Sequence, residues 1–190
     1  MDYESLRLKA KDGLLTTAIR RALRKAAQSG DADSQYLLAC GDRNSNSRLK
    51  WLRAAASQGH PEACCDLYDA EGDIQALRRA ANLGWPPAQA LLGTILATGE
   101  GPLPKNLKLA RKWYLQSSRS GFQEAWYETG FMLLLGEGGP AEPEQAIEWL
   151  EKAAASDACQ ADDASRLLAD LLQDGSQGVP KDPLRSQFWR

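Results

Sequence analysis

The stretch AQALLGTILATGEGPLPKNLKLARKWYLQSSRSG, residues 88–121, holds two apolar runs of helical period separated by a glycine- and proline-rich break. In the first run Ala88, Leu92 and Leu96 recur at i, i+4, i+8 and define one helix face. In the second, Leu109-Ala110, Trp113-Tyr114 and Ser117-Ser118 do the same. Between them, Gly99-Glu100-Gly101-Pro102 supplies a glycine to cap one helix and a proline that blocks its continuation. The break is no phosphate loop, because no Gly-Lys-Ser/Thr follows and no strand pattern precedes it. The segment predicts helix, loop, helix, closed at Gly121 by a tight turn.

Moving outward, the same signals return. An alanine or serine pair, two variable residues and a small turn residue occur at 26–30, 55–59, 80–84, 117–121 and 153–157. The turn residues Gly30, Gly59, Gly84, Gly121 and Asp157 are 29, 25, 37 and 36 residues apart. Eight residues before each turn stand Ala22, Trp51, Ala76, Trp113 and Trp149, and seven before stand Leu23, Leu52, Leu77, Tyr114 and Leu150. Four residues after the turns come Ser34, Ala63, Ala88 and Ala125. An insertion near Cys159–Asp163 shifts the fifth such residue to Ala164. Each repeat therefore reads as helix A, turn, helix B, with small residues where the helices approach and the tryptophans of the A helices in the core. Gly-containing breaks at 136–140 and 175–180 end later repeats, and Trp189 falls at the tryptophan position of an incomplete sixth.

The run Ala88…Leu92-Gly93…Gly99-Glu100-Gly101…Leu109-Ala110…Trp113-Tyr114…Gly121 resembles the Sel1-like repeat family, relatives of tetratricopeptide repeats. Gly136-Glu137-Gly138…Gln145-Ala146…Trp149-Leu150…Ala153-Ala154 is similarly close. The resemblance implies an all-α fold, a right-handed α-solenoid of five helix pairs plus a partial sixth. It spans residues 14–190 as one domain behind a lead-in of residues 1–13. It also implies a surface that binds proteins or peptides, without catalytic residues. Before Trp85 the match loosens, since the first two repeats have short B helices and no Gly-x-Gly loop.

Composition removes other classes. The 190 residues carry 23 Lys+Arg, 25 Asp+Glu and a formal charge of −2. That balance lacks the basic excess that releases counterions from nucleic acid. Mean hydropathy is −0.47, and no run approaches the ~18 apolar residues of a membrane span. Met1–Lys11 lacks the apolar core of a signal peptide, so the expected location is the cytoplasm, or the periplasm if a leader has been removed. Cys40, Cys64, Cys65 and Cys159 match neither a disulfide framework nor a zinc knuckle and are expected free and without metal. No cofactor is expected. The lone histidine, His60, precedes Pro61 in a turn and is expected to be structural. With Cys64-Cys65 it forms the only candidate nucleophile–base set, so an enzyme is not expected.

The A helices of the first three repeats are basic and the B helices between them acidic. Six residues before the turns stand Arg24, Arg53 and Arg78, and nine before stand Arg21 and Lys50, with Lys112 in the fourth repeat. Residues three apart share a helix face, and in tetratricopeptide-like solenoids the A helices line the concave surface. The expectation is a basic ladder that takes an acidic segment of another protein, guanidiniums being suited to carboxylates. The competing expectation is that these charges only neutralise the acidic B helices. Trp126, at a B-helix position that is otherwise mostly polar, is a candidate anchor, or else packs on the neighbouring loop. The specific alternative function is an immunity protein that blocks a cognate bacterial secreted effector.

Overall fold

A computed structural model describes residues 3–190, and every ordered element in it is helical. The chain divides into two compact units, one ending at Ala88 and one running from Gln89 to Arg190.

The first unit holds α1 (Tyr3–Lys11), α2 (Thr17–Gln28), α3 (Ala32–Cys40), α4 (Ser45–Ser57), α5 (Pro61–Glu71) and α6 (Ile74–Asn82). Each of α2 to α6 packs antiparallel on its sequence neighbour, and α1, within the expected lead-in, packs on α3. Met1 and Asp2 lie outside the described residues. Short polar side chains start these helices: Thr16, Asp31, Asn44 and Asp73 each accept from a backbone N–H of the first turn. At α5 the cap is His60, whose Nδ1 accepts from the Ala63 N–H at 3.3 Å. Ala10, Leu15, Leu23, Ala27, Leu37 and Leu38 form one core cluster, edged by Tyr3, Leu6 and Trp51.

Helix α7 (Pro86–Thr98) opens at the end of the first unit and runs into the second. The second unit continues with α8 (Leu107–Arg119), a 3-10 turn (Gln123–Ala125) leading into α9 (Trp126–Leu135), then α10 (Pro143–Ala154), α11 (Ala161–Asp174) and α12 (Pro183–Phe188). In chain order α2–α3, α4–α5, α6–α7, α8–α9 and α10–α11, with α12 as a lone A helix, follow the five repeats and partial sixth of the sequence. The insertion forms an extra turn after α10, and Ala164 is buried in α11 as expected.

Small residues mark the crossings. A Cβ on Gly130 of α9 would lie 2.7 Å from Leu150 Cγ and 3.1 Å from the Ala146 carbonyl oxygen on α10. A Cβ on Gly93 would lie 3.1 Å from the Tyr114 ring, whose hydroxyl bonds Thr94 Oγ1 at 2.8 Å. Leu52, Tyr114 and Leu150, seven before the turns, are buried at 0, 4 and 0% exposure. The tryptophans one position earlier are only half-buried, contrary to the expected core placement. One residue is 100° of helix rotation, so Trp51 and Trp149 lie along the edges of their clusters. Lysines close over the outer faces: Lys50 at 5.4 Å from Trp51, Lys112 at 6.0 Å from Trp113 and Lys152 at 4.1 Å from Trp149.

Candidate functional site

In the first unit, Arg21 and Arg24 on α2, Lys50 and Arg53 on α4, and Arg78 on α6 are all exposed, as an A-helix face requires. Their roles differ. Arg53 forks onto Glu71 at the end of α5, with its Nε donating at 3.1 Å and its Nη2 to the other carboxylate oxygen. That is the neutralising arrangement, and at 60% side-chain exposure it contributes at most ~1 kcal/mol. Arg24 faces Asp42, whose carboxyl is held below its ordinary range mainly by hydrogen bonding to Ser47 and the Asn44 backbone, with help from Arg24 and Arg20. Lys50 leans over Trp51. Arg78 forms no ion pair among the described residues. Arg21 borders a shallow groove on α2, with Thr17, Ala18, Ala22 and Lys25.

Adjacent arginines do different work. Arg20 donates to the carbonyls of Leu15 and Gly41, each at 3.3 Å, and Arg79 donates to the Ala56 carbonyl at 2.7 Å. Ala56 lies in the last turn of α4, where carbonyls lack intrahelical donors, so Arg79 ties α6 to the end of α4. In each Arg-Arg pair one guanidinium is tied to a carbonyl and the other forms no ion pair among the described residues. Spacing from the turns singles out Arg21 and Arg78, but the carbonyl contacts of Arg20 and Arg79 form only in the packed unit.

In the second unit, Lys112 is engaged over Trp113. Trp126 is half-buried against the core cluster of α9, α10 and α11, and its indole N–H donates to the Ser118 carbonyl at 3.2 Å. Both are packing contacts. A residue the sequence did not distinguish from its neighbours, Arg111, is buried at 7% exposure, donating to the Pro140 carbonyl at 2.7 Å and to Glu142. It clamps α8 to the loop that leads into α10. Its signal in the sequence was its place beside Ala110 on the buried face.

The candidate nucleophile set does not assemble. Cys64 is fully buried with its thiol toward the Ala56 carbonyl, and burial raises its pKa. Cys65 is pushed up to about 12, first by burial and then by Cys64 and nearby carboxylates. Both shifts keep the thiols protonated, the reverse of what a nucleophile needs. His60 is fully engaged: besides capping α5, its Nε2 lies 3.0 Å from the Tyr3 hydroxyl and its ring packs on Tyr36 at 4.5 Å. Burial lowers its pKa, although Glu62 and Asp33, at 3.4 and 3.5 Å, pull upward. All four cysteines are free, and no group of three or more potential ligands gathers to hold a metal among the described residues. Among them, too, no helix is long and apolar enough to cross a membrane.

Comparison with known proteins agrees with this architecture. The family model described as Sel1 repeat matches residues 49–60, 86–122, 123–157 and 162–189. A 77-residue segment is 38% identical to chitin synthase regulatory factor 3 of Schizosaccharomyces pombe, covering 40% of this chain but only 8% of that protein. Among solved structures, a Sel1 repeat protein from Oxalobacter formigenes aligns over 99% of this chain and 83% of its own, with TM-score 0.69 and 23% identity. A protective antigen of uropathogenic Escherichia coli with an SLR fold reaches TM-score 0.82 at 22% identity, over 99% of this chain and 45% of its own. An immunity protein from Pseudomonas aeruginosa aligns over 98% of this chain and 78% of its own, with TM-score 0.56 and 18% identity. At these identities the structural likenesses speak to the fold alone.

Proposed function

The chain belongs to the Sel1 repeat family, and from that premise we propose that it is a non-enzymatic scaffold that captures an acidic segment of another protein on the A-helix face of its first unit. The observation that carries this reading is the uneven engagement of the basic residues. Arg20 and Arg79 are tied to carbonyls and Arg53 to Glu71, while Arg21 and Arg78 stay exposed without an ion pair among the described residues. Exposed guanidiniums without an acidic neighbour keep their donors free, and a carboxylate-bearing partner takes them up through bidentate contacts. Arg21, Arg24 and Arg78 are the contacts proposed. Arg53, Lys50 and Lys112 play supporting roles, and Trp126 is assigned to packing. The four free thiols support a reducing compartment such as the cytoplasm.

The test is affinity capture from the cell of origin with the partner identified by mass spectrometry, repeated with the Arg24→Glu/Arg78→Glu double variant. Both side chains are exposed, so the variant should fold with a nearly unchanged urea midpoint and lose the partner. Full capture by the folded variant refutes the basic face. The alternative of an immunity protein has the fold of the Pseudomonas aeruginosa protein in its favour. It is distinguished by the identity of the captured protein, a secreted effector in that case.

A further inference from the structure

The second unit presents a surface of opposite character. A groove of about 630 Å³ lies between the N-terminal half of α10 and the segment that joins α11 to α12. Its floor is apolar: Ile147, Leu172 and Val179 are buried members of the unit's core cluster that reach it only with their edges, and half-buried Pro143 and exposed Pro180 supply the accessible apolar lining. Its rim carries Glu144 and Glu148, one turn apart on α10 and both exposed.

The other charges around the groove are accounted for within the unit. Glu142 receives Arg111 and the Gln145 amide. Asp182 caps α12 by accepting from the Arg185 N–H at 3.0 Å, and the Arg185 guanidinium is paired with Glu151. Glu144 and Glu148 form no ion pair among the described residues. Like charges at i, i+4 oppose helix formation. The helix dipole favours an acidic residue in the first turn, which explains Glu144 but not Glu148, a turn further on. The surroundings deepen the negative potential, since residues 121–190 carry 13 acidic against 5 basic side chains.

We propose that this groove docks a peptide segment of a partner protein in which Lys or Arg side chains alternate with aliphatic ones. The aliphatic side chains pack on Pro143 and Pro180 over the Ile147–Leu172–Val179 floor, and the cationic ones reach Glu144 and Glu148. The volume lies within the ~300–1,000 Å³ range of pockets that enclose small ligands, so it accommodates a few side chains and not a folded domain. The site is independent of the basic face proposed above and has the opposite charge preference.

The test uses the full chain and three fluorescein-labelled twelve-residue probes, alternating Lys/Leu, Lys/Ser and Glu/Leu, read by fluorescence anisotropy at low and moderate salt. The Lys/Leu probe should bind saturably, more tightly than Lys/Ser, while Glu/Leu should not compete for this site. The exposed, isosteric variant Glu144→Gln/Glu148→Gln should weaken Lys/Leu binding about tenfold, the effect of losing two partly exposed ion pairs. Arg24→Glu/Arg78→Glu should leave that binding unchanged, so failure of the basic face and failure of this groove are read separately. Undiminished Lys/Leu binding by the Gln variant overturns the proposal, as does equal affinity for Lys/Ser, which makes the floor irrelevant. Sedimentation velocity separates the occupants: a monomeric wild type is expected, whereas a wild-type dimer that the Gln variant dissolves makes a second copy of the chain the occupant and overturns a peptide partner.

Discussion

Replacing Gly130 with alanine should have opposite effects in two backgrounds. In the native protein the new methyl meets Leu150 Cγ at 2.7 Å and the Ala146 oxygen at 3.1 Å, with Leu150 fully buried and unable to retreat into solvent. Overpacking of this kind costs ~1–3 kcal/mol. Against it stands the helix propensity of alanine, which favours a mid-helix site by ~1 kcal/mol over glycine. The net expectation is a loss of about 1 kcal/mol, a fall of a few tenths of a molar to about 1 M in the urea midpoint. Leu150→Ala alone should cost ~2–5 kcal/mol, because it opens a cavity where the side chain is fully enclosed. In that background the chief obstacle to the Gly130 methyl is gone. Gly130→Ala should then raise the midpoint through propensity and partial filling of the cavity. The assay is urea unfolding followed by far-ultraviolet circular dichroism for wild type, both single variants and the double variant. A shift of the same sign and size in both backgrounds would refute the idea that glycine is required there by the α9–α10 crossing.

Two further outcomes are expected. His60 is neutral in the fold and its pKa is lowered by burial, so the unfolded chain takes up the proton first and stability should fall as pH drops below the ordinary histidine value of ~6.5. His60→Asn keeps a capping side chain, so the difference in urea midpoint between wild type and variant should shrink between pH 7.5 and 5.5; a pH-independent difference would show that the imidazole does not titrate against the fold. For the thiols, exposed Cys159 should react fastest with an aromatic disulfide reagent. Buried Cys64 should react only on opening and half-buried Cys65 slowly, its thiol held protonated, and four thiols should titrate in denaturant. Rapid native labelling at Cys64 or Cys65 would contradict the packing of α5.

The candidate site was legible in part. Arg21, Arg24 and Arg78 were found from their spacing relative to the turns and are solvent-facing in the structure. The engagement of Arg53 by Glu71 was one of two readings the sequence left open, and local geometry selects it there. The acidic groove was not visible, because Glu144 and Glu148 are adjacent to Val179 only through the return of the chain from α11.

The sequence by itself determined the helix–turn–helix repeat, the turn positions, the shifted alanine at 164 and the small residues at crossings. These follow from local rules: a 3.6-residue period assigns faces, glycine and proline end helices, and only small side chains fit where helix backbones meet. Tertiary structure decided between residues that local rules treat alike. Leu52 and Leu150 took the core and Trp51 and Trp149 its edge. Arg79 took a carbonyl on α4 while its neighbour Arg78 faced water, and the turn histidine became a helix cap held by Tyr3. Periodicity fixes a side chain's direction only to within the 100° between successive residues. Which neighbour is enclosed depends on the crossing of helices and on partners distant in the chain.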